Sequence, residues 1–286
     1  MAALGGMETL LEWVAGGTLR VGGSWGGAEC LAFVPMRVRA PETAVWVLGV
    51  LAALWALDMR QSVRSLLRGP SAGPPTARWI DRLLALAAAS MWLYVLHSKI
   101  QIHSLVNLLQ PCHLSLLLHS LALAQPGPWS TLISLYSLPF VVGAWGAILI
   151  PDVSGLTAIE TRLFFLQHYF LVLSPLYLLV HRDFAALRSA MPRHFVIANL
   201  LIALLHWVVY ESVNVTLSVN VNFFLCPTPG IRDLLSALPQ EAIWPSYRTI
   251  LTLAMFVLAL IFSAIYVLVA AVFYRVWRGY RAKKEE

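Results

Sequence analysis

The stretch NLLQPCHLSLLLH, Asn107 to His119, places a proline, a cysteine and two histidines among six leucines. In an ordinary buried helix these residues cost stability and give nothing obvious in return. Inside a bilayer they cost more, and an intramembrane ionisable residue then points to function. The rest of the chain decides between the two settings.

Hydrophobic residues make up 59% of the 286 and charged residues 12%, against about 25% charged in soluble domains. A helix needs roughly 20 apolar residues to cross the hydrocarbon core. Seven segments approach that length: 43–59, 79–97, 103–124, 130–150, 160–180, 195–216 and 249–274. The expectation is an all-α polytopic membrane protein, a seven-transmembrane-helix bundle over 43–276. A lumenal N-terminal segment (1–42) precedes it and a cytosolic tail (277–286) follows.

The net charge of +6 belongs to topology rather than to a nucleic-acid site. With seven spans, one side receives Arg60, Arg64, Arg68, Arg78, Arg182, Arg188, Arg193, Arg275, Arg278, Arg281, Lys283 and Lys284. The other receives Arg20, Arg37, Arg39, Lys99, Arg162, Arg232 and Arg248. The basic excess marks the cytosol, so the N-terminus is expected in the lumen and the C-terminus in the cytosol. The first 25 residues have neither the basic start nor the apolar core of a signal peptide. METLLEWVAGG (7–17) reads as a short amphipathic surface helix.

Between the spans, RQSVRSLLRGPSAGPPTAR (60–78) reads as a flexible linker. AQPGPW (124–129) is a tight turn, and Thr157 with Glu160 has capping-box spacing for the fifth span. The outer loop 217–247 holds SVNVNFFLCPTPG and the amphipathic IRDLLSAL. The chain ends RAKKEE, which puts Lys283 and Lys284 at the spacing of the dilysine retrieval signal of endoplasmic-reticulum membrane proteins. That signal works only on a cytosolic tail, where the charge count independently places it.

Depth brings the reactive residues to one level. Counted from the outer ends of their spans, Cys112 lies nine residues in, His168 eight and His206 ten, roughly 13 Å at 1.5 Å per residue. A free thiol is a weak nucleophile until a base takes its proton or a cation stabilises the thiolate, and histidine is its natural partner. Pro111 is expected to kink the third helix and leave the Asn107 carbonyl unpaired. Ser115 and His119 share the face of Cys112, with His119 too far along the axis to act as its base. Against this, cysteine is often simply buried and inert, and intramembrane histidines often only bond across helices.

At QPCHLSLLLH the sequence resembles the transmembrane protein 164 family. The likeness continues through GGAECLAF (26–33), FFLQHYFLVLSPLYLL (164–179) and SVNVNFFLCP (218–227), with His206 twenty residues before Cys226. One departure is that the family's Asn-Pro-Cys-His reads Gln110-Pro111-Cys112-His113 here. The resemblance implies an endoplasmic-reticulum acyltransferase that moves a polyunsaturated acyl chain from phosphatidylcholine to a lyso-ether-phosphatidylethanolamine. It implies Cys112 as nucleophile, with His168 as its base and His206 in reserve. Its partners are phospholipid and lysophospholipid substrates and the membrane, with no nucleic acid. No metal site, cofactor or coenzyme A is expected. Alternatives remain open: an intramembrane lipid hydrolase with the same Cys–His pair, or a non-enzymatic lipid transporter or receptor.

Topology puts Cys30 and Cys226 in the oxidising lumen, where a bridge persists, and a disulfide between them is expected, with two buried free thiols as the alternative. NVT (214–216) is a glycosylation sequon by pattern, placed too near the membrane for use. Replacing Lys283 and Lys284 with Ser should let a fraction of the protein escape to later compartments. A C-terminal tag protected from protease outside intact microsomes would overturn both the topology and the retrieval reading.

Overall fold

The computed structural model describes residues 9–18, 25–68, 78–153, 156–183, 191–239 and 243–285. Among them the chain is helical, and its single extended pairing is an isolated bridge between Gly26 and Val219. Six helices are long and apolar enough to cross a membrane, and a seventh apolar helix is shorter. In chain order these are α1 (Met36–Ala56), α2 (Trp79–Gln101), the short α3 (Pro111–Ala124), α4 (Pro128–Leu149), α5 (Ala158–His181), α6 (Pro192–Leu217) and α7 (Trp244–Val276). The protein is an all-α polytopic membrane protein.

Exposed side chains carry the same message. On α1, Val45, Leu48, Leu51 and Trp55 share one face at spacings of three and four, and all are exposed, Trp55 to 86%. Val257, Ile261, Ile265 and Leu268 do the same on α7. Continuous apolar faces of this kind are costly in water and favourable against lipid.

Local chemistry sets the helix ends. Thr157 and Glu160 close the expected capping box, the Thr157 N–H donating to Glu160 Oε2 at 2.9 Å and the Glu160 N–H to Thr157 Oγ1 at 3.3 Å. Pro128 opens α4 at a position where its missing N–H costs nothing, after Gly127 at φ +134°. Pro139, deeper in α4, turns residues Leu138–Phe140 into a 3-10 turn.

Three expectations are corrected. The first span begins at Met36 rather than 43, so Arg39 and Glu42 lie within its helix. The expected linker is helical over Met59–Arg68, because Val63, Leu66 and Leu67 lie on one side and Arg60, Arg64 and Arg68 recur four apart on the other; residues 69–77 lie outside the described residues. The third span is not one helix. It is a 3-10 segment, Leu105–Leu109, then α3 starting at Pro111. Lys283 and Lys284 continue the α7 helix in backbone, which runs to Glu285.

The chain divides into two compact units. The first comprises Met1–Ala53, Leu93–His113 and Leu201–Phe256; the second comprises Leu54–Trp92, Leu114–Leu200 and Val257–Glu286. The core of the first unit gathers Ala15, Val106, Tyr210, Val219 and Val221. The second packs Ala85, Ala122, Leu123 and Leu178, with the Ser120 hydroxyl donating to the Ala85 carbonyl and the Ser130 hydroxyl to that of Ala122.

In the first unit Cys30 and Cys226 are joined as a disulfide with Cα atoms 5.3 Å apart. Asn220 organises the loop beside it. Its Nδ2 donates to the Cys226 carbonyl at 2.8 Å, and its Oδ1 accepts from the Leu225 N–H at 2.8 Å. The Asn220 N–H donates to the Trp25 carbonyl and the Gly27 N–H to that of Ser218. Gly26 is required here, since a Cβ on it would stand 2.5 Å from the Ser218 oxygen. The sequon residue Asn214 is fully buried and exchanges two hydrogen bonds with the Val221 backbone, so its amide is not available to a sugar.

Alkylation without reductant should label Cys112 alone, and Cys30 and Cys226 should react only after reduction. Cys226→Ser should destabilise the protein by roughly 2–5 kcal/mol, the range for loss of a native bridge. Free labelling of both Cys30 and Cys226 in untreated protein would end this assignment.

Candidate functional site

Cys112 is the free cysteine among the described residues and is partly exposed. Its setting follows from the break that precedes it. Helix α2 ends at Gln101, His103 takes φ +52°, and the chain makes one 3-10 segment before Gln110 turns extended at φ −54°, ψ +136°. Pro111 then serves as the first residue of α3 rather than as a kink inside a longer helix. The Asn107 carbonyl, expected to be unpaired, accepts from the Gln110 N–H at 3.1 Å and from His113 Nδ1 at 2.6 Å.

This places the thiol in the first turn of α3, where the His113 N–H donates to the Gln110 carbonyl at 3.0 Å. The helix dipole favours a negative charge there, and burial of the sulfur opposes it. Lys99 lies within electrostatic reach.

The N-terminal segment and α6 hold the break in shape. The Gly17 N–H donates to the His103 carbonyl at 2.9 Å, and Trp13 stacks on the His103 ring at 4.5 Å. Asn107 Nδ2 donates to Thr18 Oγ1 at 3.1 Å. A Cβ on Gly17 would lie 1.8 Å from the Ile102 oxygen, so only glycine lets the two backbones approach. From α6, the buried Tyr210 donates its hydroxyl to the Leu109 carbonyl at 2.8 Å. Its phenol lies within electrostatic reach of Cys112.

Tyr210 also touches His206, with ring centroids 4.9 Å apart. His206 sits in a π-helical stretch, Leu205–Tyr210, of a kind that recurs at functional sites. Its Nδ1 donates to the Ile202 carbonyl at 2.7 Å, which leaves Nε2 as an acceptor for Asn222 Nδ2 at 2.5 Å. Cys112, Tyr210, His206 and Asn222 thus belong to the first unit.

His168 belongs to the second unit. It is buried, its Nδ1 donates to the Phe164 carbonyl at 2.6 Å, and its ring packs on Phe164 at 4.2 Å. Nε2 has no hydrogen-bond partner among the described residues. His119, in the same unit, is bonded on both nitrogens, to Ser174 Oγ at 2.8 Å and Ser137 Oγ at 2.9 Å. Its role is structural. Ser115 Oγ is buried with no partner among the described residues.

Sequence reading missed Tyr210 and Asn222. Tyr210 carried a usable signal, one turn after His206 on the same helix. Asn222 did not, because its reach depends on left-handed backbone at Asn222 and Phe223 (φ +56° and +53°).

The sequence pattern of the TMEM164 family matches residues 33–266. The transmembrane protein 164 homolog of Dictyostelium discoideum is 29% identical over 169 residues, 57% of this chain and 57% of that protein. The match therefore spans little more than half the length of that relative. No solved structure matches.

Tyr210→Phe keeps the ring packing and removes the donor to Leu109, leaving a buried carbonyl unpaired at a cost of about 1–3 kcal/mol. The expected result is a lower thermal midpoint together with faster alkylation of Cys112. An unchanged midpoint and rate would show that the hydroxyl does not hold the break.

Proposed function

The chain belongs to the TMEM164 family, and from that premise we propose that it is an intramembrane cysteine acyltransferase of the endoplasmic reticulum. It moves a polyunsaturated acyl chain from phosphatidylcholine to a lyso-ether-phosphatidylethanolamine. The observation that carries this reading is the position of Cys112, the free thiol among the described residues, in the first turn of α3 just after Pro111 restarts the helix.

Histidine takes the thiol proton, and the thiolate attacks the donor's ester carbonyl. A sulfur–carbon bond forms and the ester carbon–oxygen bond breaks. The lysophosphatidylcholine oxygen leaves with the proton from the imidazolium. In the second half, the imidazole takes the proton of the acceptor's hydroxyl, whose oxygen attacks the thioester. The acyl–sulfur bond breaks, and the thiolate is reprotonated. Atoms and charges balance without a metal or coenzyme A.

His168 is proposed as the base. Donation from Nδ1 to Phe164 fixes the tautomer whose Nε2 lone pair is basic, and that lone pair is open. His206 has the same tautomer, but its Nε2 is already engaged by Asn222, which suits it to positioning. The lumenal N-terminus and cytosolic tail belong to this proposal, supported by the disulfide on one side and Lys283 and Lys284 on the other.

Cells expressing Cys112→Ala should lose acyl transfer to ether phosphatidylethanolamine, and the wild-type protein trapped with donor alone should carry the acyl mass on the Cys112 peptide. His168→Ala should lower transfer by at least a hundredfold, within the usual range for general-base catalysis, and His206→Ala by less. Unchanged ether-lipid profiles with Cys112→Ala would sink the proposal. An active His168→Ala beside an inactive His206→Ala would move the base to His206.

A further inference from the structure

Four charged side chains meet inside the first unit, near the ends of three apolar helices. Arg39 lies in the first turn of α1 and Glu42 one turn on; Glu211 is near the end of α6 and Arg248 near the start of α7. Arg248 is fully buried. Its Nη2 lies 3.1 Å from Glu211 Oε2 and donates to Thr43 Oγ1 at 3.0 Å, and its Nη1 lies 3.7 Å from Glu42 Oε2. The guanidinium is sandwiched by the rings of Trp207 and Phe224, at 4.4 and 4.7 Å. Glu42 is also held by the Thr249 N–H and hydroxyl. Arg248 is therefore ion-paired on two sides, although its Nε has no hydrogen-bond partner among the described residues.

Arg39 is not. It is 94% buried, being 6% exposed. The polar contact of its guanidinium is a 3.6 Å approach of Nη2 to the sulfur of Met36. Nε and Nη1 are buried with no hydrogen-bond partner among the described residues. It lies within electrostatic reach of Glu211 and Arg248, where both carboxylates are already committed to Arg248. A buried guanidinium with idle donors is expensive, and its planar fork of N–H groups fits a phosphate oxygen pair. The four charges balance, two arginines against two glutamates, but both carboxylates pair with Arg248 and neither pairs with Arg39 among the described residues.

The place also fits. Arg39 is three residues into a helix that begins at Met36, about 4.5 Å from its start, at one end of a span rather than at its middle. Phe224, which covers Arg248, also packs on His206 at 5.7 Å.

We propose that Arg39 anchors a phosphate subsite, its idle Nε and Nη1 donating to the phosphodiester oxygens of a bound phospholipid. The proposal deepens the acyl-transfer reading and rests on it for the identity of the lipid. The same subsite would hold the head group of donor and acceptor in turn, since each carries a phosphodiester.

The test is native mass spectrometry of the full chain in detergent, titrated with phosphatidylcholine or with diacylglycerol of the same acyl chains, for wild type, Arg39→Gln and Cys112→Ala. Wild type and Cys112→Ala should both prefer the phosphate-bearing lipid. Arg39→Gln should lose about tenfold or more of its affinity for phosphatidylcholine, the scale of a charge-assisted hydrogen bond, and bind diacylglycerol unchanged. Millimolar inorganic phosphate should not displace the lipid; displacement would assign the subsite to a soluble phosphate and overturn the lipid assignment. Wild type that binds the two lipids alike overturns the subsite without recourse to any variant, as does Arg39→Gln that keeps the preference. The two readings fail separately. Loss of the preference in Arg39→Gln, with transfer surviving in Cys112→Ala, removes the acyl-thioester and leaves the subsite. Cys112-dependent transfer with no lipid preference removes the subsite alone.

Discussion

Backbone in hydrocarbon must satisfy its own hydrogen bonds, because no water is there to do it. A chain can interrupt a helix in apolar surroundings only where other groups replace the lost ladder. The break between α2 and α3 meets this condition group by group. The Lys99 carbonyl takes the Ser104 N–H, that of His103 takes Gly17, that of Asn107 takes Gln110 and His113, and that of Leu109 takes Tyr210. The consequence reaches the chemistry. Within a continuous helix, the N–H groups of Cys112 and His113 would point back to carbonyls four residues earlier. With the helix restarted at Pro111, the His113 N–H turns instead to the Gln110 carbonyl at 3.0 Å, and the sulfur lies in the first turn.

The two histidines are prepared in the same way. Each donates Nδ1–H to the carbonyl four residues earlier, Phe164 or Ile202, which a helix interior offers to any histidine in the right rotamer. That single bond fixes the tautomer and directs a basic Nε2 away from the helix axis. What separates them is the second nitrogen. Asn222 engages that of His206, and His168 has no such partner among the described residues. Helix α6 is also wound wider through Leu205–Tyr210, which rotates His206 and Tyr210 relative to the residues before them.

Much of this was legible in the residues. Apolar length gave the six long helices, and the box of Thr157 and Glu160 marked the start of α5. Cys112, His168 and His206 stood out because reactive groups are costly in lipid. The break did not stand out, because Pro111 inside an apolar run reads equally as a kink and as a first turn. Only the partners decide between them, and Tyr210 lies about a hundred residues away in sequence. The helix at Met59–Arg68 was obscured by the Pro and Gly residues that follow it. Arg39 was counted as an outer loop charge, since the first span was begun seven residues late. No local signal distinguishes a solvated arginine before a helix from a buried one in its first turn.

The loop 218–226 shows how a distant crosslink can set the state of an imidazole. Asn222 and Phe223 both adopt left-handed backbone. For asparagine this is tolerable; for a bulky residue such as phenylalanine it costs roughly 1–3 kcal/mol. Such a conformation persists only where its surroundings over-determine it. Here the disulfide fixes one end at Cys226, Asn220 ties the turn to Cys226, Leu225 and Trp25, and the Tyr247 hydroxyl takes the Phe223 carbonyl at 3.0 Å. Held in that shape, the turn delivers the Asn222 amide to His206 on one side. On the other it presses Phe224 against Arg248 and Trp207. The bridge is therefore connected to the histidine through residues 222–225, of which Asn222 and Phe223 are left-handed.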